Sequence, residues 1–366
     1  TKELKIVPIE CKDLKKGSQV VIPASIPYGF NDVDEINLLE EVPELRVENF
    51  EPPVREEISK IGWKKATEIC GIKSGDIYNY FRTNQKTNMP VASFKELMEE
   101  TNTHFSTSQL LIKTGTSNSI PAVVPVNEDF CSYLGYYVSE GYCELRQGGG
   151  GKVIITNSDE RVLNHVSALT KELFNITPRK REVFGAGRSV QLIASCKPLA
   201  EFLLKIRAGK FCTEKRVPPL IYGLSKKKIA AFLRALYEGD GSMTVSESSG
   251  NSIRYYTTSQ KLAEDVAYLL LAFKIVARIY PAKKREKSNQ LWVVEFKDRK
   301  MVETFMREIG FVYKNKKLQN KKWAHTKAST VYLDKAVLKQ NLVKYPRKYR
   351  HLLRFLRCSK NYLKKE

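Results

Sequence analysis

The sequence predicts an α+β fold made by internal duplication, each half running helix, hairpin, helix, hairpin, helix, with the halves joined about their first helices. Three observations predict it. Tyr133-Leu-Gly-Tyr-Tyr-Val-Ser-Glu-Gly141 and Leu233-Arg-Ala-Leu-Tyr-Glu-Gly-Asp-Gly241 share an apolar helical run that ends in an acid followed by glycine, about one hundred residues apart. Beyond them, Ile154-Ile-Thr-Asn-Ser-Asp-Glu-Arg161 and a helical stretch ending at Phe174-Asn-Ile176 are echoed by Tyr255-Tyr-Thr-Thr-Ser-Gln-Lys-Leu262 and one ending at Phe273-Lys-Ile275. Turn-forming residues fall at matching places, Gly148-Gly-Gly-Gly151 and Ser248-Ser-Gly-Asn251.

The chain ahead of the duplication changes character. Residues 1–30 contain Lys5-Ile-Val-Pro-Ile-Glu-Cys and Ser18-Gln-Val-Val-Ile-Pro23, which read as two strands around a turn. Residues 31–53 are acidic and hold Pro43, Pro52 and Pro53, the composition of a connector. Residues 54–115 have the shape of a helix-turn-helix module: a helix from Lys64, a turn at Gly71, a second helix over Ser74–Arg82 and a further one around Phe94–Glu100.

The duplicated halves occupy residues 127–225 and 226–325. Small residues lie on one face of each motif helix, Gly135 and Ser139 in the first, Ala235 and Gly239 in the second, so the two helices are expected to pack closely side by side. The glycine after each acid suits a left-handed C-terminal cap. Glu140 and Asp240 at neighbouring helix C-termini would repel each other and oppose the helix dipoles, a penalty that a divalent cation reverses. Ser158 and Ser259 are candidate N-caps of the second helix of each half, and Val266 to Phe273 reads as a core helix. Residues 326–366 form a basic tail with helical periodicity, including the run Tyr345–Arg357.

Charge is distributed unevenly. The chain has 62 Lys and Arg against 40 Asp and Glu, net +22, yet residues 1–129 carry 15 basic and 20 acidic side chains, so the entire excess falls after residue 129. Such a distribution is the footprint of a nucleic-acid binder. Lys226-Lys-Lys228 taken alone reads as a solvated face. On the strands, period two puts Arg179 with Arg181, and Arg278 with Tyr280, on one face; Arg188, Gln191, Arg254, Tyr256, Lys283, Lys284 and Arg285 lie on strands or at their ends. A β-ribbon bearing Arg, Lys, Gln and Tyr fits a DNA major groove, where Arg meets guanine and Gln meets adenine.

The paired motif resembles that of the LAGLIDADG homing endonucleases, specifically the two-copy, single-chain type found inside inteins, and helix-turn-helix modules similar to this one occur in archaeal inteins. The second copy is close to the family pattern; the first has Glu140 where the family usually has Asp. The resemblance implies Mg²⁺, two or three ions shared by Glu140 and Asp240 with Gly141 and Gly239 beside them, and a basic residue near each acid: Lys215 in the first half and, from the cluster Lys314-Asn-Lys-Lys317, Lys317 in the second. It also makes residues 1–30 similar to part of an intein splicing domain, although the chain starts at Thr1, ends at Glu366 and is expected to be a processed piece unable to splice.

Several classes are not expected. The seven cysteines form no C-x-x-C pair and the four histidines are dispersed, so neither a zinc site nor a disulfide framework is indicated and a cytoplasmic setting fits. There is no phosphate-binding loop and no run of membrane-spanning length. The resulting expectation is a monomeric, site-specific double-strand DNA endonuclease with a long asymmetric target; the alternatives are a DNA-binding protein of this fold that has lost cleavage, and an RNA-splicing maturase.

Overall fold

The computed structural model describes residues 10, 13, 22–23, 25–41, 45–48, 53–71, 73, 75, 88–102, 107–114, 117–146, 150–184, 188–244, 251–283, 288–314, 330–332 and 356–359. The chain divides into two compact units, one formed by Asn31–Gly239 and the other by Thr1–Phe30 with Asp240–Glu366.

In the unit Asn31–Gly239, the first motif helix spans Glu128–Glu140. Asn127 caps it, accepting a hydrogen bond from the Phe130 amide at 2.9 Å. Phe130, Cys131, Tyr133, Leu134, Gly135, Tyr136, Tyr137 and Val138 are all buried, so apolar contact surrounds the helix on every side. The second motif helix spans Lys226–Asp240 and is equally enclosed from Ile229 to Glu238. Where they cross there is no room for a side chain on Gly135: a Cβ there would stand 2.3 Å from the Phe232 carbonyl oxygen and 2.8 Å from the Ala235 Cβ. The small-residue face therefore does what its composition suggested.

A four-stranded antiparallel sheet follows the first motif helix in the order Gly141–Leu145, Gly151–Asn157, Arg188–Ala194, Arg179–Phe184. Helices Glu160–Phe174 and Lys197–Lys205 complete the half. The second unit repeats the pattern with strands Gly241–Thr244, Ser252–Thr257, Trp292–Phe296 and Arg278–Pro281 in that order, and helices Gln260–Leu270 and Arg299–Glu308. The strand registers match as well. Gly141 pairs with Ile155, as Gly241 pairs with Tyr255.

Several expectations are corrected. Asp159, not Ser158, caps Glu160–Phe174, accepting from the Arg161 amide at 2.9 Å. The Asn157 side chain takes the Asp159 amide at 2.8 Å and so turns the chain one residue later; Thr257 does the same for Ser259, which is the cap of its helix. Gly141 is extended, with φ −103°, and not left-handed. Space is the reason for glycine there: a Cβ would lie 2.7 Å from the Tyr137 carbonyl oxygen.

The acidic stretch is not a plain connector. Glu35–Asn37 pairs with Val123–Pro125, and Arg46–Glu48 lies between Asn88–Pro90 and Leu111–Lys113 in a four-stranded sheet completed by Ile120–Pro121. Leu38, Leu39, Leu45 and Val47 are buried. Helices Pro53–Ile61, Trp63–Ile69 and Val91–Glu100 lie in the expected module, with Gly71 at a left-handed φ of 59°. Apart from Gly75, the expected second helix Ser74–Arg82 lies outside the described residues. In the tail, the described pieces are strands, Leu356–Ser359 pairing with both Thr330–Tyr332 and Ile22–Pro23; residues 345–355 of the run Tyr345–Arg357 lie outside the described residues.

Candidate active site

The acids sit where the motif helices end. Glu140 is the last residue of the first, and Asp240 the last of the second. Gly239 brings the helix ends together, because a Cβ on it would lie 2.4 Å from the Ser139 hydroxyl and 2.9 Å from Cγ of Glu140. The Glu140 carboxylate is aimed by Asn157, which no motif singles out: on the neighbouring strand, it donates from Nδ2 to Oε1 at 3.1 Å. Among the described residues no group of three or more His, Cys, Asp and Glu side chains forms a closed metal cage. Mg²⁺ needs none, since it commonly takes one or two carboxylates and completes its shell with water and phosphate oxygen. Glu140, oriented by Asn157, is a carboxylate of the kind such an ion takes.

Lys215 is buried in the same unit as Glu140, with 2 % of its surface exposed. Its ammonium lies 3.3 Å from the centre of the Tyr137 ring, one helical turn before Glu140, and donates to the Gly209 carbonyl at 3.2 Å. The Tyr137 hydroxyl donates to that same carbonyl at 2.8 Å. Gly209 has φ 82° and would clash with the Lys215 Cα if it carried a Cβ, so the loop can fold back only with glycine there. Burial lowers the Lys215 pKa to about 7, against the opposing pull of Cys143, Cys212 and Glu214. In the second unit, Lys314 donates to the Gly241 carbonyl at 2.8 Å, immediately after Asp240. Lys317, the residue expected there, lies outside the described residues, as does Lys316.

The strand residues separate into two sets. In the first sheet Arg181 donates from Nε and Nη2 to Oε1 of Gln191 at 3.1 and 2.5 Å, its partner in register across the strands. Arg179 is exposed on the same face. In the second sheet Arg254, Tyr256, Arg278 and Tyr280 share one face, and Glu295, another residue without an assigned role, joins them at the centre. Lys283 is exposed just beyond that sheet; Lys284 and Arg285 lie outside the described residues, as does the Arg188 side chain. Lys228, read as part of a solvated face, instead pairs with Asp32 at 3.0 Å and Asp34 at 3.2 Å, tying the acidic stretch to the start of the second motif helix.

Residues 134–207 and 227–310 match the LAGLIDADG-like domain family. The duplicated unit is thus a LAGLIDADG-like domain in two copies. The chain is 27% identical over 191 residues, 52% of its length, to the replication factor C small subunit of Methanocaldococcus jannaschii, and 30% identical over 171 residues, 45% of its length, to a DNA polymerase of Thermococcus sp. (strain GE8). It spans only 10% and 9% of those proteins. Among solved structures it is similar to I-DmoI in complex with DNA and Mn, at 20% identity and a TM-score of 0.37, over 50% of this chain and 97% of that one. Among the described residues no helix is long and apolar enough to cross a membrane.

Proposed function

We propose that this chain is a site-specific double-strand DNA endonuclease of the intein type, with Glu140 and Asp240 each serving the hydrolysis of one strand. The observation that carries this reading is the close approach of the motif helices at Gly239, which sets the carboxylate-bearing end of one helix against the other. Two like-charged groups at crowded helix C-termini are stabilised by a cation, and the family of the duplicated unit is one in which such acids recur. A Mg²⁺ ion bound there would lower the pKa of a coordinated water and offset charge on the phosphate. The chain's own residues have separate tasks. Asn157 fixes the orientation of Glu140. Lys215, with a pKa near neutrality, is divided between amine and ammonium at pH 7, so it can accept a proton from the attacking water or donate a hydrogen bond to the phosphate. A second cation in the other half, Lys314 or the later Lys317, would have the corresponding task. The exposed Arg, Gln and Tyr of the two sheets would follow the grooves of a long asymmetric site, with phosphate contacts supplying affinity.

One observation favours the reading in which binding survives without cleavage: Glu140 replaces the shorter acid and is already engaged by Asn157. A random-sequence duplex pool incubated with Mg²⁺, with and without chelator, decides between the two. Recovery of a defined cut site only when Mg²⁺ is present supports the nuclease; selective binding without cutting supports the inactive form; preference for RNA over duplex DNA supports the maturase.

A further inference from the structure

The two sheets share one register but differ in their central row. In the second sheet the row reads Ser242, Arg254, Glu295, Arg278 from edge to edge. Glu295 is nearly buried and accepts from Nε of Arg254 at 2.6 Å, with the Lys297 ammonium 3.4 Å away. The corresponding row of the first sheet is Tyr142, Ile154, Ile193, Arg179. Only the outer arginine is kept. Ile154 and Ile193 are buried, and their side chains can neither donate nor accept a hydrogen bond.

We infer that Arg254, held by Glu295, reads a guanine in the half of the target gripped by the second sheet, and that the first sheet makes no counterpart contact from its inner pair. This deepens the endonuclease reading and rests on it. A guanidinium has five N–H donors in a fixed fork, and committing Nε to a carboxylate leaves terminal nitrogens that suit the O6 and N7 acceptors of guanine. Arg254 is about a third exposed and is held by Tyr256 as well as by Glu295. Tyr256 and Tyr280 stand beside it on the same face, in register with each other through Val293. Fixing the fork before DNA arrives lowers the ordering cost of the contact. Glu295 is a positioning residue, acting through Arg254.

The test selects duplexes from a random pool on the full chain in Ca²⁺, which permits binding without cleavage, and then measures the affinity of every single-base variant of the selected site. For the parent chain, replacing one G·C pair on one arm lowers affinity roughly 5- to 150-fold. Arg254→Ala and Arg254→Lys both flatten that preference at that pair alone. Glu295→Gln flattens the same pair although it removes a negative charge from the DNA-facing side and so raises affinity for unselected duplex, whereas loss of a merely structural residue would lower both together. Arg254→Lys keeps the charge and so remains informative if Arg254→Ala fails to fold. A profile unchanged by Arg254→Lys, with selective binding intact in the parent, overturns this inference alone. Failure of the parent to select any duplex sequence overturns it together with the endonuclease reading.

Discussion

The Lys215 ammonium stands over the face of the Tyr137 ring, 3.3 Å from its centre, in a site almost closed to water. The ring attracts a cation and burial repels one, and burial prevails, bringing the Lys215 pKa to about 7. In the unfolded chain a lysine titrates near 10.5. The unfolded state therefore binds more protons than the folded one between about pH 7 and 10.5, and through this group stability rises with pH across that window. Urea unfolding at a series of pH values checks the sign. Lys215→Met is expected to remove that rise and to stabilise the protein at pH 7, where the buried amine is still partly charged.

Gly135→Ala tests the helix crossing. Alanine improves helix propensity by about 1 kcal/mol, but its Cβ would press on the Phe232 carbonyl, and overpacking of this kind costs typically 1–3 kcal/mol. The obstacle is backbone, not a flexible side-chain tip, so the clash is expected to win. Thermal unfolding is predicted to show a lowered midpoint, whereas Gly150→Ala, whose nearest contact is 3.7 Å away on a side chain, leaves it nearly unchanged.

Asp32 and Asp34 both pair with Lys228, yet they are not equivalent. Asp32 also accepts the Ser225 amide at 2.9 Å, while the Asp34 side chain is 94% exposed. Replacing Asp32 by Ala is expected to cost about 1–2 kcal/mol and Asp34 by Ala less than about 0.5 kcal/mol, as urea titration would reveal.

The duplication was legible because both halves repeat turn and cap chemistry locally, down to Ser259. The slip from Asp159 to Ser158 arose because both residue types cap helices well; the Asn157 side chain, which decides between them, acts through a bond that periodicity does not register. The acidic stretch looked like connector because its Asp, Glu and Pro outweigh Leu38, Leu39, Leu45 and Val47, and its strands pair with partners as distant as Val123–Pro125. Glu295 was invisible for the same reason. Its meaning comes from Arg254 on the adjacent strand, 41 positions away along the chain. The acids, by contrast, announced themselves by recurring in register at the ends of two similar helices.

The most direct test of the central claim compares Asp240→Asn and Glu140→Gln with the parent chain on a selected duplex in Mg²⁺, following binding and the cutting of each strand separately. Each variant removes a carboxylate but no phosphate contact, so affinity is expected to stay within a few fold while double-strand cleavage is lost, one strand being cut far more slowly than the other. Cutting of both strands at the parent rate by either variant would exclude that acid from the reaction.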